Sequence, residues 1–157
     1  MFAKNRHCSY CGTRFPHDAG WPRQCMVCKH VSYRNPLPVV IVLVPVVMAS
    51  GTGVLLVKRG IAPQAGRYAL PGGYIESGES WQDAAVRELH EEANVKIDPA
   101  GLCVRDVFSA PDNTLILATQ SAPMAAGGLG AFTPSQESTA RHVALGPIEL
   151  AFPFHTR

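Results

Sequence analysis

Four of the chain's cysteines fall within 21 residues, as Cys8-Ser9-Tyr10-Cys11 and, thirteen residues later, Cys25-Met26-Val27-Cys28. Each Cys-x-x-Cys pair can close a tight turn that aims two sulphurs at one point. Two such turns supply the tetrahedral thiolate shell that zinc takes in closed structural sites. Disulfides are the rival reading, but no export signal is visible, and cytosolic thiols stay reduced. A catalytic redox pair would use one Cys-x-x-Cys and leave the other idle. The spacing therefore predicts structural Zn²⁺ on Cys8, Cys11, Cys25 and Cys28, with His7, His17 and His30 as surface residues. A segment this short buries little apolar area, so metal binding must supply much of its folding free energy. Its role, whether packing, dimerisation or substrate contact, stays open. The Asn35-Pro36 break ends it, giving an expected zinc ribbon over 1–35 and a second domain over 36–157.

Charge divides at the same place. Residues 1–35 carry six Lys or Arg against Asp18, a balance of +5, whereas residues 36–157 carry 8 basic and 11 acidic side chains, a balance of −3. A basic head on an acidic body suggests two units with different work. The alternative is a small module kept soluble by its lysines and arginines. With 46% hydrophobic residues and 17% charged, the chain is not disordered. No apolar run approaches the roughly 18 residues of a membrane span. The residues Met1 to Arg6 lack an apolar stretch after their charges, so a secretory leader is not expected and a cytoplasmic location is.

Beyond Pro36 the pattern is that of a mixed sheet. Leu37 to Ala49 is apolar and β-branched, broken only by Pro38 and Pro45, and reads as a strand over Val39–Val47 buried on both faces. Gly51-Thr52-Gly53 reads as a turn into a second strand, Val54 to Lys58. Short strands are expected near Tyr68–Leu70 and at Leu102–Ser109, Thr114–Gln120 and His142–Leu145. Ala122 to Phe132, rich in Gly and Ala, reads as a mobile loop, and Cys103 as a core residue. Strands, one central helix and further strands indicate a mixed α/β sandwich, not an alternating parallel sheet.

That helix is predicted over Ser80–Ala93, opened by a capping-box pattern at Ser80 and Asp83. Trp81, Ala84, Ala85, Val86, Leu89 and Ala93 share one apolar arc, with Asp83, Arg87 and His90 opposite, towards solvent. Glu88, Glu91 and Glu92 are the anomaly. They span about 100° of the wheel, and Glu92 falls on the buried side between Trp81 and Ala85. Three carboxylates so placed repel one another and resist desolvation. A divalent cation removes that cost, and hard oxygen ligands favour Mg²⁺ or Mn²⁺.

These residues fit a known pattern. Gly73-x5-Glu79-x7-Arg87-Glu88-Leu89-x-Glu91-Glu92-x-Asn94-Val95 resembles the Nudix box, and six fixed matches arise by chance at about 5 × 10⁻⁸ per start point with each type near 6% usage. Leu70-Pro71-Gly72-Gly73 resembles the family's lead-in. Asn94 departs from the pattern, standing where the family has a helix-ending Gly; Asn is the next most tolerant residue there. The ribbon and the Tyr33-Arg34-Asn35-Pro36 junction are similar to zinc-ribbon Nudix proteins, among them NADH pyrophosphatases and smaller ADP-ribose or FAD pyrophosphatases. The Ser-Gln-Pro-Trp-type signature of the NADH enzymes is absent; Gln120-Ser121-Ala122-Pro123 is a faint echo. A C-terminal helix, frequent in the family, is expected to be short, absent or removed.

The resemblance implies a Nudix-type mixed-sheet α/β/α sandwich after the ribbon. It also implies hydrolysis of a nucleoside diphosphate linked to another moiety, ADP-ribose or FAD ahead of NADH or NAD-capped RNA, with release of AMP. Glu88, Glu91 and Glu92 would hold Mg²⁺ or Mn²⁺, helped by the Gly72 carbonyl. Arg87 would orient Glu91, and Glu79 would fix the loop. Glu137 is the expected general base, with Glu88 or Glu92 as alternatives. Arg59, Arg67, Tyr68 and Gly73 are candidate substrate contacts, and Phe108 and Phe132 are further aromatic candidates, with core packing the better reading for Phe108. A homodimer acting on a small nucleotide is expected, with RNA a lesser possibility. A non-catalytic nucleotide sensor is the contrasting class; loss of the box carboxylates would mark it, and all three are present.

Overall fold

Val44 divides the apolar run in two. In the computed structural model, which describes residues 5–152, the backbone forms two compact units, Met1–Pro36 and Leu37–Arg157. The first holds the antiparallel pair β1 (Arg23–Gln24) and β2 (Val31–Ser32). In the second, the expected single strand over Val39–Val47 is instead β3 (Leu37–Leu43) and β4 (Pro45–Met48), which join different sheets. Pro45 cannot donate to a ladder, and a continuous apolar run has no period to reveal the crossing.

The next element, β5, spans Gly51–Arg59, so the glycine-rich residues lie within the strand. Met48 pairs with Gly51 and Val46 with Gly53, placing the turn at Ala49-Ser50. A Cβ on Gly53 would sit 2.7 Å from the Ala144 carbonyl oxygen, which is why this strand position is Gly. Then follow β6 (Tyr68–Ala69), β7 (Gly72–Tyr74), α1 (Trp81–Ala93), β8 (Cys103–Ser109), β9 (Thr114–Gln120), β10 (Met124–Ala125) and β11 (Ser138–Ala144). One sheet has the order β10-β4-β5-β11 with β6 on β5, and the other β7-β3-β9-β8. Within the second, β3 runs parallel to β9 and antiparallel to β7.

Alternation along the strands divides the interior in two. Val40 and Val42 of β3, Leu55 and Val57 of β5, and Ala84, Ala85, Leu89 and Ala93 of α1 form one buried cluster. Ile41, Leu56, Leu70, Ile116 and Ala118 form the other. Side chains that alternate across a strand every residue produce this partition. The architecture is the expected mixed α/β fold. The described residues contain one α-helix, so no second helical layer is found among them.

Three further expectations change. Residues 122–132 contain β10, paired in parallel with β4, and a 3₁₀ turn at Ala126–Leu129 whose Leu129 is buried. The last strand begins at Ser138, four residues before His142, because pairing with β5 extends through Ser138, Ala140 and Arg141, which carry no strong β signal. Cys103 is exposed, not core, since β8 is an edge strand whose residues are exposed apart from Phe108. Residues 153–157 lie outside the described residues.

Candidate active site

Sequence sets the ends of α1. The Ser80 side-chain oxygen accepts from the Asp83 N–H at 3.1 Å, satisfying one of the helix's unpaired donors. At the other end Asn94 adopts the left-handed conformation (φ 54°, ψ 32°), and its N–H donates to the His90 carbonyl at 3.0 Å. Asn thus fills the position where a helix-ending Gly is usual.

Between these caps the three glutamates experience different surroundings. Glu92 is only 8% exposed, and its Oε2 accepts from the Gly72 N–H at 2.9 Å. Burial pushes its carboxyl up to about 7, against the pull of that hydrogen bond; the charges of Glu88 and Glu137 add to the rise, and Arg59 opposes it. Desolvation also raises Glu88, whereas Glu91 stands in the open. Gly72, whose carbonyl the sequence offers to a cation, holds Glu92 through its N–H.

Arg87 does not face solvent as its wheel position suggested. Nε and Nη2 fork onto Glu79 at 2.8 and 3.0 Å, Nη1 reaches Glu88 at 2.8 Å and Glu91 at 3.2 Å, and Nη2 also reaches the Tyr74 carbonyl at 3.0 Å. These five contacts occupy all five donors of a guanidinium. Arg87 therefore organises the carboxylates and has no donor left for a ligand. Glu79, which also accepts from the Glu76 N–H at 3.0 Å, is the loop-fixing residue expected. Its carboxyl is held down at about 2, chiefly by the hydrogen bonds from Arg87.

Two glycines make this arrangement sterically possible. A Cβ on Gly73 would overlap the Glu88 carboxylate, and one on Gly72, where φ is +154°, would overlap the Val40 carbonyl. Gly73 is thus a clearance residue for Glu88. A third glycine escaped the sequence reading. Gly60 donates to the Glu137 carbonyl at 2.7 Å, and a Cβ there would overlap the Gln136 carbonyl. Its only sequence signal is a glycine directly after a long strand.

A cavity of about 390 Å³ brings these groups together: Glu88, Glu91, Glu92 and Glu137 line it with Arg59, Gly72 and Gly73. With Glu76, which also lines it, five carboxylates face one cavity, Glu92 among them buried, and match the donor set of hard divalent cations. A second cavity of about 640 Å³ shares Arg59, Gly72, Gly73 and Tyr74 and continues past Val39, Ile41 and Ile116 to Phe152. Arg59 stands at the junction, its Nε donating to the Pro63 carbonyl at 2.9 Å and its guanidinium 5.1 Å from the Phe152 ring centre.

Two expected substrate contacts are not among these lining residues. Arg67 forms an ion pair with Glu149. Tyr68 packs into the second core cluster, its ring 5.3 Å from that of His142. Phe132 lies against Arg141, and Phe108 packs in the core as expected. The aromatic residue that does line both cavities is Tyr74. Its signal was adjacency to Gly72-Gly73.

In the N-terminal unit the sulphurs of Cys8, Cys11, Cys25 and Cys28 all lie within 4.8 Å of one another. The Cys8–Cys28 and Cys11–Cys25 separations are 3.6 and 3.5 Å. A disulfide needs about 2.05 Å, whereas a tetrahedral site with 2.3 Å metal–sulphur bonds has edges of about 3.8 Å. The four thiols could hold one metal ion.

The chain belongs to the NUDIX family, whose domain model matches residues 37–121. Over 59 residues it is 42% identical to the ADP-ribose pyrophosphatase of Methanocaldococcus jannaschii, an alignment covering 38% of this chain and 34% of that protein. It is 31% identical over 100 residues to the NAD-capped RNA hydrolase NudC of Edwardsiella ictaluri, covering 62% and 36% respectively. The chain thus spans about a third of the length of these curated relatives. A NUDIX hydrolase crystal structure from Nitrosomonas europaea superposes with a TM-score of 0.64 at 26% identity, covering 96% of this chain and 86% of that one. Among the described residues no helix is long and apolar enough to cross a membrane.

Proposed function

We propose that this protein is a divalent-metal-dependent hydrolase of the pyrophosphate bond in nucleoside diphosphates linked to a second moiety, with ADP-ribose or FAD foremost and AMP as a product. The observation that carries the reading is Glu92, a carboxylate buried against a glycine N–H beside Glu88 and facing Glu137. A buried carboxylate beside like charges is costly unless a cation completes the site.

Glu88, Glu91 and Glu92 would hold Mg²⁺ or Mn²⁺. Such ions, when bound, neutralise phosphate oxygens and acidify the attacking water. Arg87 fixes the carboxylates so that they need not reorganise during reaction. Arg59, between the two cavities, meets the negative charge of the diphosphate. Glu137 accepts the proton of the water that attacks phosphorus as the bond to the bridging oxygen breaks. The wider cavity, mostly apolar, receives the nucleoside, with Tyr74 at its mouth. Arg67 and Tyr68 take no part.

In the N-terminal unit the four thiolates would hold Zn²⁺ structurally, which fits a reducing compartment such as the cytoplasm. The ribbon's +5 balance and the NAD-capped RNA hydrolases among the relatives favour a second reading, in which the second moiety is RNA. A homodimer belongs to the proposal as well, supported by exposed Val104 and Val107 on the edge strand β8.

The test is a panel of ADP-ribose, FAD, NADH, diadenosine polyphosphates, nucleoside triphosphates and NAD-capped RNA, with Mg²⁺ or Mn²⁺. Metal-dependent AMP release, abolished by Glu92→Gln, is the expected result. Binding without cleavage by the metal-loaded protein would favour the sensor class instead.

A further inference from the structure

The one departure from the family pattern does more than end a helix. Asn94 adopts the backbone conformation a Gly would, but its side chain has two partners a Gly cannot make. Nδ2 donates to the His90 carbonyl at 3.3 Å, and Oδ1 accepts from the Thr133 N–H at 2.7 Å. Arg141 of β11 reaches the same place from the other side. Its Nη1 donates to the carbonyls of Ala93 and Leu129 at 2.8 Å each, and its Nη2 to that of Gly130 at 2.7 Å. The last carbonyls of α1 and the segment 129–133 are therefore fastened to one another by two side chains.

That segment leads directly to Glu137. Past Thr133, the Ser138 N–H donates to Ser135 Oγ at 3.0 Å, and the Ser135 N–H to the Ser138 carbonyl at 2.8 Å. The Glu137 carbonyl is then taken by the Gly60 N–H at 2.7 Å. Glu91 and Glu92 lie within two residues of Ala93, at the same end of α1. The helix end that presents carboxylates to the cavity is thus tied to the loop that presents Glu137.

We propose that Asn94 and Arg141 are positioning residues that set where Glu137 stands relative to Glu88 and Glu92. The inference rests on the reading of Glu137 as the base, and neither residue touches substrate. If Asn94 were only a cap, Gly would serve as well, since it adopts the left-handed conformation without cost. With the tie to Thr133 removed, the loop keeps its Gly60 anchor and the Arg141 tie at Leu129 and Gly130 but loses the helix anchor nearest to Glu137. Displacement of a reacting group by about 1 Å costs on the order of 10²-fold in rate.

The experiment uses the full zinc-loaded chain with Asn94→Gly, Asn94→Asp, Glu137→Gln and the Asn94→Gly/Glu137→Gln pair. Hydrogen exchange of residues 131–138 is read without added Mg²⁺ or Mn²⁺, and hydrolysis of ADP-ribose with Mn²⁺. Asn94→Gly is expected to speed exchange of that segment about 10-fold or more while leaving β9 unchanged. It should lower kcat about 10- to 100-fold with KM within about twofold. Asn94→Asp, which keeps the acceptor, should restore both. On the Glu137→Gln background the Gly substitution should cost nothing further, because the group it positions is gone. Unchanged exchange in Asn94→Gly overturns the inference whichever nucleotide is cleaved, as does a kcat loss that adds in full to that of Glu137→Gln. A fully active Glu137→Gln with a loosened loop instead overturns Glu137 as the base, and the catalytic part of the inference with it.

Discussion

Replacing Glu92 with Gln should make the metal-free site more stable while making the protein inactive. Glu92 is 8% exposed, and burial lifts its carboxyl from 4.5 to about 7. An acid raised in the folded state contributes nothing to pH dependence well below 4.5, where it is protonated folded and unfolded alike. Between 4.5 and about 7 the folded state holds the extra proton, so stability falls as pH rises, and above 7 the whole penalty is present. The rise corresponds to about 3 kcal/mol. Gln keeps the acceptor for the Gly72 N–H and carries no charge towards Glu88 or Glu137. At pH 8, with zinc retained and no Mg²⁺ or Mn²⁺ added, Glu92→Gln should raise Tm by about 6–12 °C, and at pH 4.5 the gain should nearly vanish. Adding Mg²⁺ at a hundred times its Kd should stabilise the wild type by about 2.7 kcal/mol and the variant far less. Thermal scans at the two pH values, with and without Mg²⁺, decide it. A variant less stable than wild type at pH 8 would refute the argument that a desolvated charge dominates this site.

Other outcomes follow from the same geometry. Arg87→Lys should lower kcat about 10²-fold despite the retained charge, because an ammonium cannot serve acceptors on Glu79, Glu88, Glu91 and Tyr74 together; steady-state kinetics check it. Gly73→Ala should displace the Glu88 carboxylate and cost about 10²-fold in rate at little cost in Tm. Glu79 is held at about 2 by Arg87, so its contribution is present above about 4.5 and is lost as pH falls towards 2. Glu79→Gln should therefore lower Tm at neutral pH and flatten the acid limb of the stability profile. Cys25→Ser should release the ribbon's metal and unfold residues 5–36, seen as one equivalent of zinc lost and rapid exchange there, with residues 37–152 still protected.

The site was legible wherever periodicity and spacing carried it. The cap at Ser80, the apolar arc and the three glutamates sit on one helix, so a wheel alone places Glu92 on the buried side. Thr114–Gln120 was legible because its ends carry turn residues. The partition of Leu37–Met48 between two sheets was not, since a strand buried on both faces has no alternation to read. Arg67 and Tyr68 are not among the residues lining either cavity because proximity to the box in sequence says nothing about which way a side chain turns; Arg67 turns to Glu149 and Tyr68 to His142, about 80 residues away. Gly60 and Tyr74 were missed for the converse reason, their value lying in what approaches them and not in their own chemistry.

The pairing of β5 with β11 has a consequence for how the chain is made. Thr139 of β11 reaches the Lys58 carbonyl across 81 residues. A ribosome adding about 5–20 residues per second needs several seconds to cover that stretch. Throughout that interval the nascent chain displays the open edge of β5, with Leu55, Leu56 and Val57 not yet enclosed, and such edges recruit other chains. Yield in a heterologous host should therefore respond to growth temperature and chaperone supply.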